Sequence, residues 1–174
     1  MARTGSVYRS RLLYLVVAVG MLAPLDVPLV GPVLPQIAEA FGVSNARAGL
    51  VVTAFAAPGV FFAPVLGWLA DRHGRRRVLV PALVVYGAAG VAVAAVDSFA
   101  AVLVLRAAQG LLGGSILSSL ALTLVGDLFS GSRRNAAMGA VSASITLSAA
   151  LAPIAGGSLG AFGWDAPFLL YGLS

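Results

Sequence analysis

Several residue types are scarce or missing in this chain, and each scarcity excludes a class of protein. The 174 residues include no cysteine, which excludes disulfide frameworks and thiolate metal sites. Only 10% of the residues are charged, against about 25% in an ordinary soluble domain. The single histidine, His73, lies in an arginine-rich segment, where we expect a solvated side chain. The sequence therefore predicts no metal site and no cofactor.

Apolar residues are correspondingly abundant. They make up 60% of the chain, and the mean hydropathy is +1.00, whereas soluble domains are about 45–50% apolar. A soluble core of this size cannot bury so much apolar surface, so the solvent is lipid. The net charge of +5 does not indicate nucleic acid, because no folded polar domain presents it and the arginines are spaced as membrane anchors.

Long apolar runs define the predicted fold. A hydrocarbon slab of about 30 Å takes roughly 20 helical residues, and backbone groups in lipid must bond internally, which favours helices. Five runs meet this length, at about 12–37, 46–70, 78–96, 99–124 and 136–162, and a stub follows at 168–174. The first run is too long for a cleaved signal peptide. We predict an all-α, polytopic membrane helix bundle, with five transmembrane helices plus the start of a sixth in one incomplete helical domain over residues 1–174.

The arginines predict the orientation of this bundle. With five crossings, nine of the eleven arginines fall on one side: Arg3, Arg9, Arg11, Arg72, Arg75, Arg76, Arg77, Arg133 and Arg134. The other side holds Arg47 with Glu39, Asp97 and Asp165. Short cytoplasmic loops carry an excess of Arg and Lys, so we predict a cytoplasmic N-terminus. The segment 71–77 is then a cytoplasmic loop.

That loop also carries a recognisable pattern. The residues are Gly67, Leu69, Ala70, Asp71, Arg72, Gly74, Arg75, Arg76 and Leu79. The spacing resembles the loop 2 to 3 signature of the major facilitator superfamily, G-x-L-A-D-R-x-G-R-R-x-x-L. The resemblance implies a cytoplasmic gate in which Asp71 and Arg75 take part, whereas positive charge alone requires only a topology anchor. Physically, Gly67 would allow close helix approach and Gly74 a tight turn.

Three further stretches resemble the same family. "RAAQGLLGG" matches its fourth-helix motif at Arg106, Gln109 and Gly110, with Leu112 replacing a glycine. "SAALAPIAGG" is similar to its fifth-helix antiporter motif: it keeps Pro153, Gly156 and Gly157, while Ser148 and Ala152 stand where that motif has glycines. "LDVPLVGPVLP" resembles the first helix of drug:proton antiporters. Prolines at 24, 28, 32 and 35 predict a bent first helix that lines a cavity.

Two charged residues fall inside predicted spans. Asp26 lies near the middle of the first and Arg106 in the outer half of the fourth, and a charge near the bilayer centre costs about 2.5–3.5 kcal/mol on insertion scales. Neither would face lipid. They form a static ion pair, or Asp26 binds and releases a proton under the influence of Arg106; whether they touch is not readable from the sequence. Gln109 either contacts substrate or satisfies a neighbouring helix.

The resemblance implies a secondary transporter that exports small organic compounds in exchange for protons by alternating access. The implied partners are a small-molecule substrate, protons, the lipid bilayer and a second transporter half, from the same gene product or another copy. An enzyme is disfavoured, because the six acids are scattered. A half-transporter, or a non-transporting membrane protein that assembles with a partner, is the alternative. Arginine use without lysine fits a prokaryotic inner membrane. The substrate and the choice between antiport, symport and uniport are not readable.

Overall fold

The computed structural model describes residues 25–114, 123, 125 and 129–173, and every regular element among them is helical. The all-α prediction is therefore confirmed for this part of the chain. The N-terminal part of the first predicted span and most of the last part of the fourth lie outside the described residues. The predicted number of spans consequently stays a prediction.

The first described segment is an interrupted helix. Helix α1 occupies residues 25–30, a 3₁₀ turn follows at Gly31–Val33, and helix α2 runs over Leu34–Ala40. Pro32 and Pro35 each lie in the first two positions of the element they begin. Proline is tolerated there because an N–H at a helix start has no partner within the helix. The break lies where the prolines predicted one.

The next two long helices are joined by one residue. A short helix α3, Asn45–Ala48, is capped by the Ser44 hydroxyl, which accepts from the Arg47 amide at 3.3 Å. Helix α4 then spans Leu50–His73 and helix α5 spans Arg75–Val93. Gly74 lies between them with φ of 93°, a conformation that favours glycine because it has no Cβ.

The sequence prediction of a loop over residues 71–77 is wrong, since only Gly74 is not helical. Arginine is a good helix former, so the charged segment extends both helices into the turn. The charge pattern located the turn correctly but could not show that one glycine is sufficient to make it.

The remaining elements complete the bundle. Helix α6 spans Phe99–Gln109 and continues as a π-helical turn over Gly110–Gly114. Helix α7 is the longest described, Gly131–Gly160, and helix α8, Ala166–Leu169, leads into a 3₁₀ turn at Leu170–Leu173. Two stretches among the described residues are long and apolar enough to cross a membrane, Asn45–His73 and Arg134–Gly160, and shorter apolar helices run over Val80–Val93 and Phe99–Gly113.

Apolar side chains lie on both the inside and the outside of this bundle. Helix α4 packs against α5, α6 and the π-helical turn, while α7 packs against the 3₁₀ turn at Gly31–Val33. The shared core is apolar, yet Phe61 is 76% exposed and Ile154 is 68% exposed. A soluble protein rarely leaves such a surface to water, whereas lipid accepts it.

Two glycines bring helix backbones into direct contact. A Cβ on Gly110 would overlap the backbone carbonyl of Phe55 in α4, and a Cβ on Gly156 would overlap that of Leu29 in α1. A Cβ on Gly160 would lie 2.6 Å from Cγ1 of Val33. Small residues serve this purpose in membrane bundles, where close packing drives helix association. The backbone contacts hold the π-helical end of α6 close to α4, and α7 close to α1.

Candidate functional site

Asp26 and Arg106 form an ion pair in the interior of the bundle. Both side chains are 0% exposed. Nη2 of Arg106 donates to Oδ1 of Asp26, and Nη1 donates to Oδ2 at 3.0 Å. The pairing is thus bidentate, the strongest arrangement that guanidinium and carboxylate can make. It joins α1 to α6, and it shows that Asp26 and Arg106 contact each other, which the sequence alone could not reveal.

Further hydrogen bonds surround this pair. The Tyr86 hydroxyl donates to Oδ2 of Asp26 at 3.3 Å, and Nε of Arg106 donates to the Val51 carbonyl at 3.3 Å. Nη1 of Arg106 also donates to Oε1 of Gln109 at 3.0 Å, while Nε2 of Gln109 donates to the Tyr86 carbonyl at 3.2 Å. Helices α1, α4, α5 and α6 therefore all contribute to one polar network, which we call the central charge cluster: Asp26, Val51, Tyr86, Arg106 and Gln109.

Aromatic rings enclose the cluster. Cζ of Arg106 lies 4.6 Å from the ring centroid of Phe55 and 5.7 Å from that of Phe168. The Tyr86 and Tyr171 rings meet edge to face, with centroids 5.4 Å apart. Cation–π contacts are strongest where water is absent, and a surrounding of low dielectric strengthens every charge interaction inside it. Loss of either ionic partner would leave the other charge buried without compensation.

Local sequence explains how this arrangement forms. Arg106 and Gln109 are three residues apart on α6 and so share a face, and both are buried. Glycines leave room for the tyrosine rings: a Cβ on Gly113 would overlap the Tyr86 ring, and one on Gly90 would overlap the start of the Tyr171 side chain. Residue spacing on α6, together with glycines on its π-helical continuation and on α5, thus creates the site.

The structure brings together three residues that the sequence singled out, Asp26, Arg106 and Gln109. Gln109 contacts a neighbouring helix through the Tyr86 carbonyl. Sequence reasoning missed the Tyr86 hydroxyl and the Val51 carbonyl. A signal for Tyr86 was available, because a hydroxyl in the middle of an apolar run needs a hydrogen-bond partner. The acceptor role of Val51 has no sequence signal, since every residue carries a carbonyl.

The gate motif lies around the turn between α4 and α5 and shares no residue with this cluster. Asp71, Arg72 and Gly74 all face outward, and Cζ of Arg72 stacks over the Trp68 ring at 5.3 Å. No described residue comes within 4 Å of a Cβ placed on Gly67, so the close helix approach predicted there is not made by this part of the chain. Arg75 and Arg76 form the first turn of α5; the gate itself stays a prediction.

His73 is exposed as expected, with Nδ1 lying 3.3 Å from the Leu69 carbonyl. Within the described ranges, no group of three or more acidic or histidine side chains is placed to hold a metal ion.

The residues of the antiporter motif lie in α7, and part of that motif faces the first helix. Gly156 contacts the Leu29 backbone, and a Cβ on Gly157 would lie 3.9 Å from Cβ of Pro32. Pro153 is exposed, whereas Ser148 and Ala152 are buried on the same side as Gly156. The Ser148 hydroxyl has no hydrogen-bond partner in the described part of the chain. Alanine and serine in place of glycines are thus compatible with close packing against α1.

A helical bundle with large exposed apolar side chains and a buried, paired charge cluster is typical of a polytopic membrane protein. Residues 16–174 match the model of the Major Facilitator Superfamily. The chain is 32% identical over 145 residues to the Bacillibactin exporter of Bacillus subtilis (strain 168), an alignment that covers 79% of this chain and 36% of that protein.

Two further relatives are similar. The chain is 32% identical over 133 residues to the Multidrug transporter protein MdtP of Bacillus subtilis (strain 168), covering 76% of this chain and 24% of that protein. It is 37% identical over 134 residues to the Efflux pump FUBT of Fusarium oxysporum, an alignment that covers 75% of this chain and 22% of that protein. The chain belongs to the major facilitator superfamily, a family of membrane transporters and not of enzymes. It spans about a quarter to a third of the length of these relatives.

Proposed function

We propose that this chain is part of a secondary transporter that exports small organic compounds in exchange for protons. The names of its relatives support export: an exporter, a multidrug transporter and an efflux pump. The observation that carries the proton-coupled mechanism is the fully buried, bidentate pair of Asp26 and Arg106. An ionisable pair at this depth is costly to maintain, and such pairs in membrane proteins mark ion and substrate pathways.

Asp26 is the proposed proton acceptor. When a proton binds, the carboxylate loses its charge, and Arg106 keeps its contacts with the Val51 carbonyl and Gln109 but no longer has a counter-charge. A buried arginine without a counter-charge is unstable, so the helices that carry the two residues favour a different arrangement. Proton binding then biases the equilibrium between two states of the transporter.

Gln109 is the proposed substrate-facing member of the cluster. Its amide oxygen accepts from Arg106 and its amide nitrogen donates to the Tyr86 carbonyl. Both contacts can be exchanged for contacts to a polar group of a substrate without loss of a hydrogen bond. Substrate and proton would therefore act on the same arginine, one through Gln109 and the other through Asp26.

The neutral variant Asp26→Asn tests this mechanism. We expect it to abolish the accumulation of ethidium, used as the probe, in inside-out vesicles under an imposed proton gradient, because asparagine cannot exchange a proton. Glu39→Gln is the control, since Glu39 is an exposed acid outside the cluster. Proton-driven accumulation that persists at the full rate in Asp26→Asn would contradict the proposal.

A second transporter half is part of the proposal, because the relatives are about three to four times longer than the aligned part of this chain. The half belongs to the same gene product or to another copy. The intact mass of the product in native membranes, detected through an N-terminal epitope, distinguishes the two. Crosslinking between copies separates a dimeric half-transporter from the alternative, a membrane protein that assembles with a partner without transporting.

The turn at Gly74 is proposed to lie in the cytoplasm and to act as a gate through Asp71, Arg72 and Arg75. The exposure of Asp71 and Arg72 supports a role at a surface, and the bias of arginines toward one side supports the orientation. A prokaryotic inner membrane is the proposed location, and the relatives from Bacillus subtilis agree with it.

A further inference from the structure

A small cavity lies at the end of the bundle opposite the Gly74 turn. The end of α2, the turn between α5 and α6, and the turn between α7 and α8 meet there. The cavity has a volume of about 220 Å³ and is lined by Ala40, Phe41, Val96, Asp97 and Trp164. None of these residues belongs to the central charge cluster or to the motifs of the family resemblance.

Two aromatic rings form adjoining sides of this cavity. The Phe41 and Trp164 rings have centroids 5.0 Å apart and planes inclined at 67°. Phe99 packs against Phe41 at 5.9 Å, and Phe168 packs against Trp164 at 6.2 Å. Each lining ring is therefore supported by a second ring behind it, which fixes its position before any ligand arrives.

The cavity also has a carboxylate, that of Asp97, which has no basic partner among the described residues. Asp97 is exposed, and it makes no hydrogen bond or ion pair with any residue in the described ranges. Glu39 and Asp165 lie at the same end of the bundle, with Arg47 as the basic residue predicted for that side. The net charge at this end of the bundle is therefore negative, and a negative charge attracts cations and concentrates them near the cavity.

We propose that this cavity binds a small organic cation of the alkylated ammonium class. Tryptophan gives the strongest cation–π attraction among the aromatic residues, and aromatic rings with a neighbouring anion are suited to quaternary ammonium groups, which carry no N–H to donate. The volume of about 220 Å³ is below the roughly 300–1,000 Å³ typical of drug-sized pockets. The ligand is accordingly small.

An inorganic cation fits this cavity poorly. Calcium takes about six to eight oxygen ligands and magnesium requires octahedral oxygen coordination, whereas one carboxylate lines the cavity. Two aromatic faces supply no oxygen ligand, and water would have to supply the others. An alkylated ammonium, in contrast, is attracted by the rings and the carboxylate together. This site does not depend on the proposed proton mechanism.

Equilibrium binding of radiolabelled choline to the purified gene product tests the proposal, because this measurement does not depend on a tryptophan signal. We expect saturable binding that is lost in Trp164→Leu and retained in Trp68→Phe, because Trp68 lies near the Gly74 turn and does not line the cavity. Asp97→Asn should weaken choline binding about tenfold, the factor that corresponds to 1.4 kcal/mol. Glu39→Gln is the matched control, an exposed acid at the same end that does not line the cavity, and it should bind choline like the parent.

The uncharged analogue of choline, in which a tert-butyl group replaces the trimethylammonium group, separates a cation site from an apolar pocket. We expect the analogue to bind at least about tenfold more weakly than choline. Equal binding of the two compounds would overturn the proposal, as would choline binding that survives in Trp164→Leu. No saturable response in the folded parent protein would also overturn it and would leave Phe41 and Trp164 as interfacial anchors.

Discussion

The central charge cluster and the Gly74 turn contain the same two kinds of side chain, carboxylate and guanidinium, in opposite surroundings. Asp26 and Arg106 are 0% exposed and bound to each other in bidentate geometry. Asp71 and Arg72 are exposed, and the guanidinium of Arg72 lies over the Trp68 ring. Identical chemistry therefore has different consequences at the two places.

The difference follows from solvent. At the turn the charged side chains are exposed, and water and salt screen them, so an ion pair there contributes little to stability. In the interior each charge depends on its partner, because no water replaces it. Loss of one charged side chain at the turn is therefore expected to change the stability of the bundle little, whereas loss of one partner of the ion pair affects every helix that contributes to the cluster.

Removal of one interior charge should produce the largest effect. Arg106→Leu leaves the Asp26 carboxylate buried and without a counter-charge, and we expect a loss of about 3–5 kcal/mol in the free energy of unfolding. The double variant Asp26→Asn, Arg106→Leu should recover a large part of that loss, since no unpaired charge remains. Thermal unfolding in detergent measures both. Equal stability of Arg106→Leu and the parent would show that the cluster is hydrated, like the turn.

A methyl group at a helix contact should have an intermediate effect. Gly156→Ala places a Cβ onto the Leu29 carbonyl next to the cluster, and overpacking of this kind costs about 1–3 kcal/mol. Gly139→Ala is the matched control on the same helix, because no described atom lies within 4 Å of its Cβ. The yield of folded protein and the unfolding temperature should fall only for Gly156→Ala. The same fall in both variants would mean that helix flexibility, and not contact, sets the outcome.

Removal of one charge from the turn should have the smallest effect. Arg77 is exposed, so we expect Arg77→Gln to unfold at the parent temperature within experimental error. Orientation should also be kept, because eight other arginines remain on the predicted cytoplasmic side. Single-cysteine labelling measures orientation directly, since the chain has no cysteine of its own. A clear loss of stability in Arg77→Gln would indicate that the turn holds a specific contact.

Much of the fold was predictable from composition and length alone. Apolar runs of membrane-spanning length located α4, α5 and α7 to within a few residues, because lipid requires helices. At the arginine-rich turn each helix extends three residues beyond its predicted apolar run. Charged residues mark the edge of the membrane, but a helix continues past that edge wherever its residues are good helix formers.

The site was predictable in part. Asp26 and Arg106 were visible as charges that lipid would not accept, whereas their pairing depends on how α1 and α6 meet. How they meet depends on packing between residues distant in the sequence, such as the contact of Arg106 with the Val51 carbonyl, and sequence patterns do not show it. No sequence pattern indicated the cavity lined by Phe41, Asp97 and Trp164, because its residues come from three separate turns.

The two backbone contacts made by glycine have a mechanical consequence. Gly110 touches the Phe55 carbonyl, and Gly156 touches the Leu29 carbonyl. Contacts between main chains cannot be adjusted by rotation of side chains. We therefore expect α6 to move together with α4, and α7 to move together with α1.

The buried ion pair connects the first of these helix pairs to the second, because Asp26 lies on α1 and Arg106 on α6. Asp26 lies three residues before Leu29, and Arg106 lies four residues before Gly110. Each charge is thus anchored within about one helical turn of a fixed contact. If the pair α7 and α1 slides against the pair α6 and α4, the hydrogen bonds between carboxylate and guanidinium must lengthen or change direction. The geometry of the ion pair therefore depends on the relative position of the two helix pairs.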